Sequence, residues 1–323
     1  METITVGGRR YSDPDVLSLI KATGSLVDPR SSVLTQARKR LQTLHKFHDV
    51  PKDPIERLTI LASLCGIGEV VPMNIEQRRG EKRDAVLVPN VSGGRSIIYN
   101  PAVPRSRLAF SIAHEIIHTF FPNSINGARF RNICASESRE ANELERLCDL
   151  GASELLMPLG EFQKAAGTTG YSLSAISDLM EIFGSSFEAT VFRLASGHPG
   201  IAVAGLLRYR LRVGEQRQRR ATAQTLLFSS TPGGDGEEVQ PKYRRQSVHL
   251  SEACTEAHMI RWNKSFAVES VVYSAATDSD VQIGLESLPN QLTRKGRLEA
   301  VRAPFQRGEA DPVFGDVLFF WTV

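Results

Sequence analysis

S-I-A-H-E-I-I-H-T-F-F, residues 111–121, is the most informative stretch of this 323-residue sequence. It contains the pattern H-E-x-x-H, with His114 and His118 at its two ends. On a helix, side chains four positions apart lie on one face, so both imidazoles can reach one metal ion. Glu115 follows the first imidazole, where it could take a proton from an attacking water. Zinc suits this pattern, because a catalytic zinc site takes three protein ligands and imidazole is a preferred one.

The residues around the motif predict a buried helix with one polar stripe. They are apolar: Ile112, Ala113, Ile116, Ile117, Phe120 and Phe121. Burial of two histidines and a glutamate without a partner costs free energy, and a metal ion would supply that partner. An exposed helix face is the alternative for so short a pattern, and the apolar flanks argue against it.

A second helix is predicted downstream, at residues 136–158, from the helical period of its apolar positions. Glu145 is our candidate for the third metal ligand. Asp149 lies four positions on, where it could hold a ligating imidazole through its other ring nitrogen. Small residues predict a close approach to the first helix: Cys148, Gly151 and Ala152. Other carboxylates that could serve as the ligand are Glu140, Glu143 and Glu154.

Residues 95–158 resemble the ImmA/IrrE family of zinc metallopeptidases. The resemblance rests on R-S-I-I-Y-N at 95–100, R-S-R-L-A-F at 105–110, the H-E-x-x-H motif, Glu145 with Ala152, and E-L-L-M-P at 154–158. It implies His114, His118 and Glu145 as ligands of Zn²⁺, with Glu115 as the general base. The sequence departs from the family pattern at four positions where the family has Glu, Ala, Asn and Phe: Leu147, Cys148, Asp149 and Gly151. None of these is a ligand in this assignment.

The resemblance also implies an endopeptidase with a narrow protein substrate. Such a substrate is a helix-turn-helix repressor or another regulatory protein of a bacterial stress, mobile-element or defence response. Tyr171 and His198 are candidates for a second oxyanion donor. The rival hypothesis is a regulatory binding protein that contains zinc but does not cleave peptides. A structural zinc site is normally closed by a fourth protein ligand, and no obvious Cys or His is suitably placed, which favours catalysis.

Composition predicts a cytoplasmic protein with an ordinary core. Charged residues are 23% and hydrophobic residues 41% of the chain, and the net charge of +3 gives no global attraction to nucleic acid. No apolar run is long enough for a membrane span, and the first residues do not resemble a signal peptide. The cysteines form no C-x-x-C pair, which favours a reducing compartment. They are Cys65, Cys134, Cys148 and Cys254.

We predict an α+β fold in two domains. The first, residues 1–200, is a zincin-like core of helices with a small β-sheet, and the second, residues 201–323, is a mainly β sensor or recognition domain. The boundary follows a change of composition after Gly197–Gly200. Predicted helices are 14–21, 33–47 (capped by Ser31 or Ser32), 54–65, 172–180 and 186–196. Predicted strands are 70–73, 85–91 and 95–100, then 201–213, 225–229, 265–273, 281–285 and 316–323.

One predicted strand carries an arginine stripe. Residues 207–213 alternate, which would put Arg208, Arg210 and Arg212 on one face. A solvated sheet face is the simplest interpretation, and a surface for an acidic protein or a nucleic acid is the alternative. The C-terminal domain could also bind an activating ligand or partner. The helix pair 172–180 and 186–196 could likewise be a helix-turn-helix DNA reader, although the resemblance favours a packing role.

Overall fold

A computed structural model of the chain describes residues 2–24, 27–47, 49–75, 84–90, 93–122, 139–228, 240–289, 294–305 and 314–323. The side chains of residues 139–142, 222–228 and 256 are also outside the described part. Cys134 and the side chain of Glu140 therefore lie outside it. Helices and three sheets make up the described chain, which confirms the predicted α+β class with a β-rich C-terminal region.

The chain divides into two compact units. The first comprises Met1–Phe162 and Met180–Ser186, and the second comprises Gln163–Leu179 and Phe187–Val323. These units are not the segments 1–200 and 201–323, because the chain changes unit after residues 162, 179 and 186. The functional division at residue 200 stays a prediction.

Three helices near the N-terminus begin in the same way. α1 (Pro14–Thr23), α2 (Pro29–Leu44) and α3 (Pro54–Leu64) each have proline in the first turn. The residue before each proline is an aspartate whose carboxylate accepts hydrogen bonds from first-turn amides: Asp13, Asp28 and Asp53. The predicted serine cap for α2 is therefore wrong. A hairpin of β1 (Ile4–Val6) and β2 (Arg9–Tyr11), which the sequence did not predict, precedes α1.

The predicted small sheet of the first unit is present. It contains β3 (Ile67–Pro72), β4 (Ala85–Pro89) and β5 (Arg95–Tyr99) in the order β3-β5-β4. The central strand β5 is parallel to β3 and antiparallel to β4. Within the described residues, β4 is thus an edge strand of this sheet.

The H-E-x-x-H helix and the second predicted helix pack closely. They are α4 (Arg105–His118) and α5 (Arg139–Leu156). A Cβ atom at Gly151 would lie only 2.7 Å from Cδ1 of Ile117 on α4 and 2.8 Å from Cγ1 of Val33 on α2. The absence of a side chain therefore lets α5 approach both helices, as its small residues predict.

Further helices follow α5 along the chain. α6 is Leu159–Thr169, α7 is Ile176–Phe183 and α8 is Phe187–Gly197, with a short 3₁₀ helix at Leu173–Ala175. None of the helices in the described ranges is both long and apolar enough to cross a membrane.

A five-stranded antiparallel sheet forms the body of the second unit, in the order β7-β6-β10-β9-β8. Its strands are β6 (Ala202–Arg210), β7 (Lys242–Leu250), β8 (Gln282–Glu286), β9 (Gly296–Arg302) and β10 (Val317–Thr322). α8 packs against β6, β7 and β10, and α10 (Val271–Thr277) packs against β8, β9 and β10. Large buried side chains of its core include Tyr243, Phe319 and Trp321.

Several predicted strands of this region are wrong. β6 ends at Arg210, and α9 (Val213–Phe228) replaces the end of the predicted strand 201–213 and nearly all of 225–229. The predicted strand 265–273 is instead a loop that leads into α10. The strands β7 and β9 were not predicted from the sequence. Short apolar runs do not distinguish a strand from a buried helix or loop, whereas a polar strand such as β7 gives no alternation to detect.

Candidate metal centre

α4 presents two imidazoles on one buried face. His114 is 0% exposed and His118 is 2% exposed, and their ring centroids are 5.0 Å apart. The helix buries them because the residues between and around them are apolar, as with Ile112 and Ile116. Two buried imidazoles one turn apart can share a ligand, since helical geometry aligns positions i and i+4.

α5 supplies a carboxylate that faces both rings. Oε2 of Glu145 lies 3.1 Å from Nε2 of His114, and Oε1 of Glu145 lies 3.8 Å from Nε2 of His118. The same carboxylate therefore spans the Nε2 atoms of the two imidazoles. This brings together the three residues that the sequence suggests as ligands.

The other nitrogen of each ring also faces a group of α5. Oδ1 of Asp149 lies 2.9 Å from Nδ1 of His114, and Sγ of Cys148 lies 3.5 Å from Nδ1 of His118. Glu145, Cys148 and Asp149 are at positions i, i+3 and i+4, so they share one helix face. Both rings are thus held with Nδ1 toward Cys148 or Asp149 and Nε2 toward Glu145.

Cys148 is the contact that the sequence analysis missed. Its spacing from Glu145 places it on the same face, which is the signal that could have revealed it. Burial raises the pKa of the Cys148 thiol well above its usual range, and the charges of Glu145 and Asp149 raise it further. A neutral thiol has a weak S–H donor and a weak acceptor, so it can hydrogen-bond an imidazole in either tautomer.

Glu115 is fixed by the small sheet. It is 1% exposed, and its Oε2 accepts a hydrogen bond of 3.0 Å from the backbone N–H of Leu87 on β4. The backbone N–H of Leu87 is available to Glu115 because only alternate residues of β4 form backbone hydrogen bonds with β5. The backbone carbonyl oxygen of Asp84 accepts a hydrogen bond from the N–H of Asn100, and the backbone N–H of Asn90 donates to the carbonyl oxygen of Gly94. The backbone groups of residues 84, 86, 88 and 90 therefore point toward β5, whereas the N–H of Leu87 points away from it.

The donor set fits a metal ion. Two buried imidazoles and a carboxylate are the ligands that zinc and related transition metals take. A second set overlaps the first, because one ligand atom each of His114, His118 and Cys148 lie within 4.8 Å of one another. The carboxylate and the thiol are thus alternative third donors, on different sides of the His118 ring.

Residues 69–195 match the sequence profile of the family described as the IrrE N-terminal-like domain, Peptidase_M78. This segment is an ImmA/IrrE family domain. The family is one of metallopeptidases, and the matched residues contain the whole cluster around His114 and His118.

The fold of the chain is similar to that of a solved structure described as a Mycobacterium tuberculosis transcriptional regulator. The TM-score is 0.53 and the sequence identity is 16%, over 95% of this chain and 80% of that chain. At this identity the likeness concerns the fold alone. No curated protein matches the sequence.

Other carboxylates of the ImmA/IrrE domain form contacts away from the imidazoles. Glu143 accepts hydrogen bonds from the backbone N–H groups of Ser12 and Asp13, which ties α5 to the start of α1. Glu154, in the E-L-L-M-P block, is buried and binds Nε of Arg38 on α2 at 2.9 Å. These contacts give Glu143 and Glu154 structural roles.

The candidate oxyanion donors lie in the second compact unit. The rings of Tyr171 and His198 contact each other with centroids 4.9 Å apart. The Tyr171 hydroxyl donates to the carbonyl oxygens of Gln163 and Gly197 at 3.4 Å, and Nδ1 of His198 accepts from Gly200 N. Both side chains therefore have contacts within their own unit.

The three arginines of the predicted stripe have different partners in the structure. Arg208 forms two hydrogen bonds with the buried carboxylate of Asp316, at 3.0 and 2.8 Å. Arg212 lies beyond the end of β6 and contacts Glu215 at the start of α9. The guanidinium group of Arg210 lies against the ring of Trp262.

Proposed function

We propose that this protein is a zinc-dependent endopeptidase, with Zn²⁺ held by Nε2 of His114, Nε2 of His118 and the carboxylate of Glu145. The observation that carries the proposal is that one carboxylate spans the two Nε2 atoms, at 3.1 and 3.8 Å. Distances of this size leave the three groups converging on one point between α4 and α5. The ImmA/IrrE domain at residues 69–195 supports the same assignment.

The orientation of the rings favours Glu145 over Cys148 as the third ligand. The sulfur atom faces Nδ1 of His118, whereas Asp149 faces Nδ1 of His114. A metal bound to both Nε2 atoms leaves each Nδ1–H to donate to these groups of α5. Such outer contacts fix the tautomer and direction of ligating histidines.

In this proposal Glu115 is the general base. Its Oε2 is fixed on the N–H of Leu87, which orients the carboxylate without using it as a ligand. Glu115 accepts the proton of the attacking water and then delivers it to the leaving amine. His114, Glu115 and His118 are buried among the apolar residues of α4, and electrostatic interactions are stronger in such a low-dielectric environment. A bound zinc ion supplies Lewis-acid polarisation of the water and of the scissile carbonyl.

The substrate that we propose is a specific protein. The resemblance of residues 95–158 to ImmA/IrrE peptidases favours a transcriptional repressor or another regulatory protein of a bacterial stress, mobile-element or defence response. The second compact unit, with its five-stranded sheet, would then contribute recognition or regulation. The competing function is a zinc-containing binding protein without proteolysis.

The substitution Glu115→Gln separates these functions. Gln keeps the size of the side chain and an oxygen that can accept from Leu87 N–H, but it cannot take up a proton. We expect zinc content and melting temperature close to those of the parent, and cleavage lower by at least about a hundredfold. The matched control is Glu181→Gln, since Glu181 is exposed.

The substrate can be found by comparing new protein N-termini in cells that produce the parent, the Glu115→Gln chain or the Glu181→Gln chain. Cleavage products in the parent and the control, and none with Glu115→Gln, would support the peptidase. Identical products from all three would exclude Glu115 as the base. If no chain cleaves any protein and all three restore the phenotype of a deletion strain, the binding function is correct.

A further inference from the structure

An exposed tryptophan lies on a basic turn of the second unit. Residues 261–264 have the sequence R-W-N-K, and all four are exposed. Lys264 N donates to Arg261 O at 3.1 Å, which closes the turn, and Trp262 is 54% exposed. The chain has only two tryptophans, and the other, Trp321, is fully buried in the sheet core. Tryptophan is enriched at interaction surfaces, so the groups that surround this exposed ring bear on what it could contact.

Two arginines lie against this ring. The guanidinium carbon of Arg210 is 5.1 Å from the Trp262 ring centroid, and that of Arg245 is 4.7 Å away. Nη2 of Arg210 also donates to the carbonyl oxygen of Arg245 at 3.0 Å. Both distances are within the range of a cation–π contact. The ring and the two cations therefore form one preassembled group.

The charges of Arg210 and Arg245 are not neutralised within the described residues, where neither forms an ion pair with a carboxylate. Their neighbours on the same two strands differ in this respect. Arg208 is paired with Asp316, and Arg244 with Glu215 at 3.1 Å. Burial lowers the pKa of Arg210 and Arg245, and the charge of Arg208 adds to the effect on Arg210. An anion beside these two groups would offset that unfavourable environment.

The basic surface continues onto α9. Buried Arg244 joins the two parts, because it donates to Glu215 at the start of α9 and to the carbonyl oxygen of Asn263, next to Trp262. Along α9, three further arginines are exposed: Arg217, Arg219 and Arg220. Arg219 and Arg220 line an open cavity of about 300 Å³ together with Leu211 and Gln216.

We propose that this surface binds single-stranded nucleic acid. We call it the Trp262 surface and define it as Arg210, Arg245, Arg261, Trp262 and Lys264 with the exposed arginines of α9. Unpaired bases stack on exposed aromatic rings and on guanidinium planes, while the phosphates contact the cations. The proposal does not depend on the peptidase activity.

Two other polyanions fit the Trp262 surface less well. A double helix keeps its base faces inside the stack, so it would contact the arginines but would leave the indole ring without a partner. An acidic protein segment would likewise bind the basic side chains through its carboxylates and would leave the indole ring without a partner. The exposed ring with two guanidinium groups already against it is the feature that a strand with free base faces uses.

Fluorescence of the full-length protein tests the proposal. The probes are a 12-nucleotide oligo(dT), a 12-nucleotide oligo(U), a 12-base-pair DNA duplex and poly-glutamate. We expect the two single strands to quench the emission of exposed Trp262, while the emission of buried Trp321 stays constant. Stronger quenching by one of the two strands identifies DNA or RNA as the ligand. Binding should weaken with salt, because phosphate contacts release counterions.

Substitutions then distinguish stacking from charge. Trp262→Ala should weaken binding of the single strand at least about fivefold, followed by anisotropy of a labelled strand, whereas Trp262→Phe should retain most of it. Arg210→Gln with Arg245→Gln should weaken binding and reduce the slope of log K against log salt by about 1.4. The charge-matched control is Arg294→Gln, an exposed residue just before β9, which should bind like the parent.

Three outcomes would overturn the proposal. The first is no binding of either single strand at low salt. The second is poly-glutamate or the duplex binding at least as tightly as the single strands, with no effect of Trp262→Ala. The third is an equal loss with Arg294→Gln and with the double arginine substitution, which would indicate a general charge effect. Far-UV circular dichroism and Trp321 emission check that each variant is folded.

Discussion

The sulfur atom of Cys148 lies 3.5 Å from Nδ1 of His118. The ImmA/IrrE pattern that this sequence resembles has alanine at the corresponding position, which would leave the ring nitrogen without this contact. In this chain the thiol and the neighbouring carboxylate of Asp149 each contact the outer nitrogen of a different imidazole. The two groups together set the direction of both rings.

Cys148→Ala should therefore weaken zinc binding without removing the site. Loss of an outer contact to a ligating histidine typically lowers metal affinity about 10- to 100-fold, and a weak sulfur acceptor should give the lower part of that range. Competition with a chelator measures the change. Cys148→Ser, which keeps a hydrogen-bonding group of similar size, should recover part of the affinity. A chain that holds no zinc at all after Cys148→Ala would make the thiol a ligand.

Glu145→Ala should reduce the zinc content from about one ion per chain to a small fraction, because it removes one of three ligands. Elemental analysis after dialysis measures this. Glu143→Gln and Glu154→Gln are the controls, since these carboxylates bind backbone N–H groups near α1 and Arg38 of α2. Full zinc content with Glu145→Ala, together with loss in either control, would contradict the proposed ligand set.

Gly151→Ala should destabilise the first unit. The new Cβ would lie 2.7 Å from Cδ1 of Ile117 and 2.8 Å from Cγ1 of Val33, so buried side chains on two helices must move. We expect a loss of about 1–3 kcal/mol in the free energy of unfolding, measured with urea. The control is Gly167→Ala in α6, where the added Cβ meets no atom within 4 Å. That substitution should stabilise the chain slightly, by up to about 1 kcal/mol. Equal effects at both sites would mean that α5 has room to shift.

A fragment of residues 1–200 should aggregate. It keeps α8 but removes β6, β7 and β10, against which α8 packs. The buried apolar residues of α8 would then be exposed: Val191, Leu194 and Ala195. Size-exclusion chromatography of the fragment beside the full chain measures the outcome. A monomeric fragment that binds zinc would instead support the functional boundary at residue 200.

Local periodicity explains which parts could be predicted from the sequence. α4 and α5 could be predicted, because their chemistry and their apolar positions both follow the helical repeat. The small sheet was also recognisable, since glycines separate its apolar strands. The helix α9 could not be recognised, because its arginine-rich sequence has no strong apolar face and its last apolar residues resemble a short strand. No local rule identified the strand β7, whose sequence K-Y-R-R-Q-S-V-H-L is mostly polar.

Contacts between segments that are far apart in the sequence could not be predicted from it. Arg210, Arg245 and Trp262 come from β6, β7 and a later turn, and only the folded sheet brings them together. The predicted arginine stripe includes Arg210, but its other two members, Arg208 and Arg212, form ion pairs with Asp316 and Glu215. Likewise, nothing near Leu87 in the sequence indicates that its N–H would hold the carboxylate of Glu115.

The hydrogen bond between Leu87 and Glu115 also bears on aggregation. An exposed strand edge is a template for pairing with another chain, because its outward N–H groups seek acceptors. Along the described outer edge of β4, the Leu87 donor is occupied by Glu115, and Pro89 has no N–H to offer. A foreign strand therefore meets an edge with too few donors to extend the ladder. The residue proposed to take the proton in catalysis thus also helps to keep the small sheet from adding strands of other molecules.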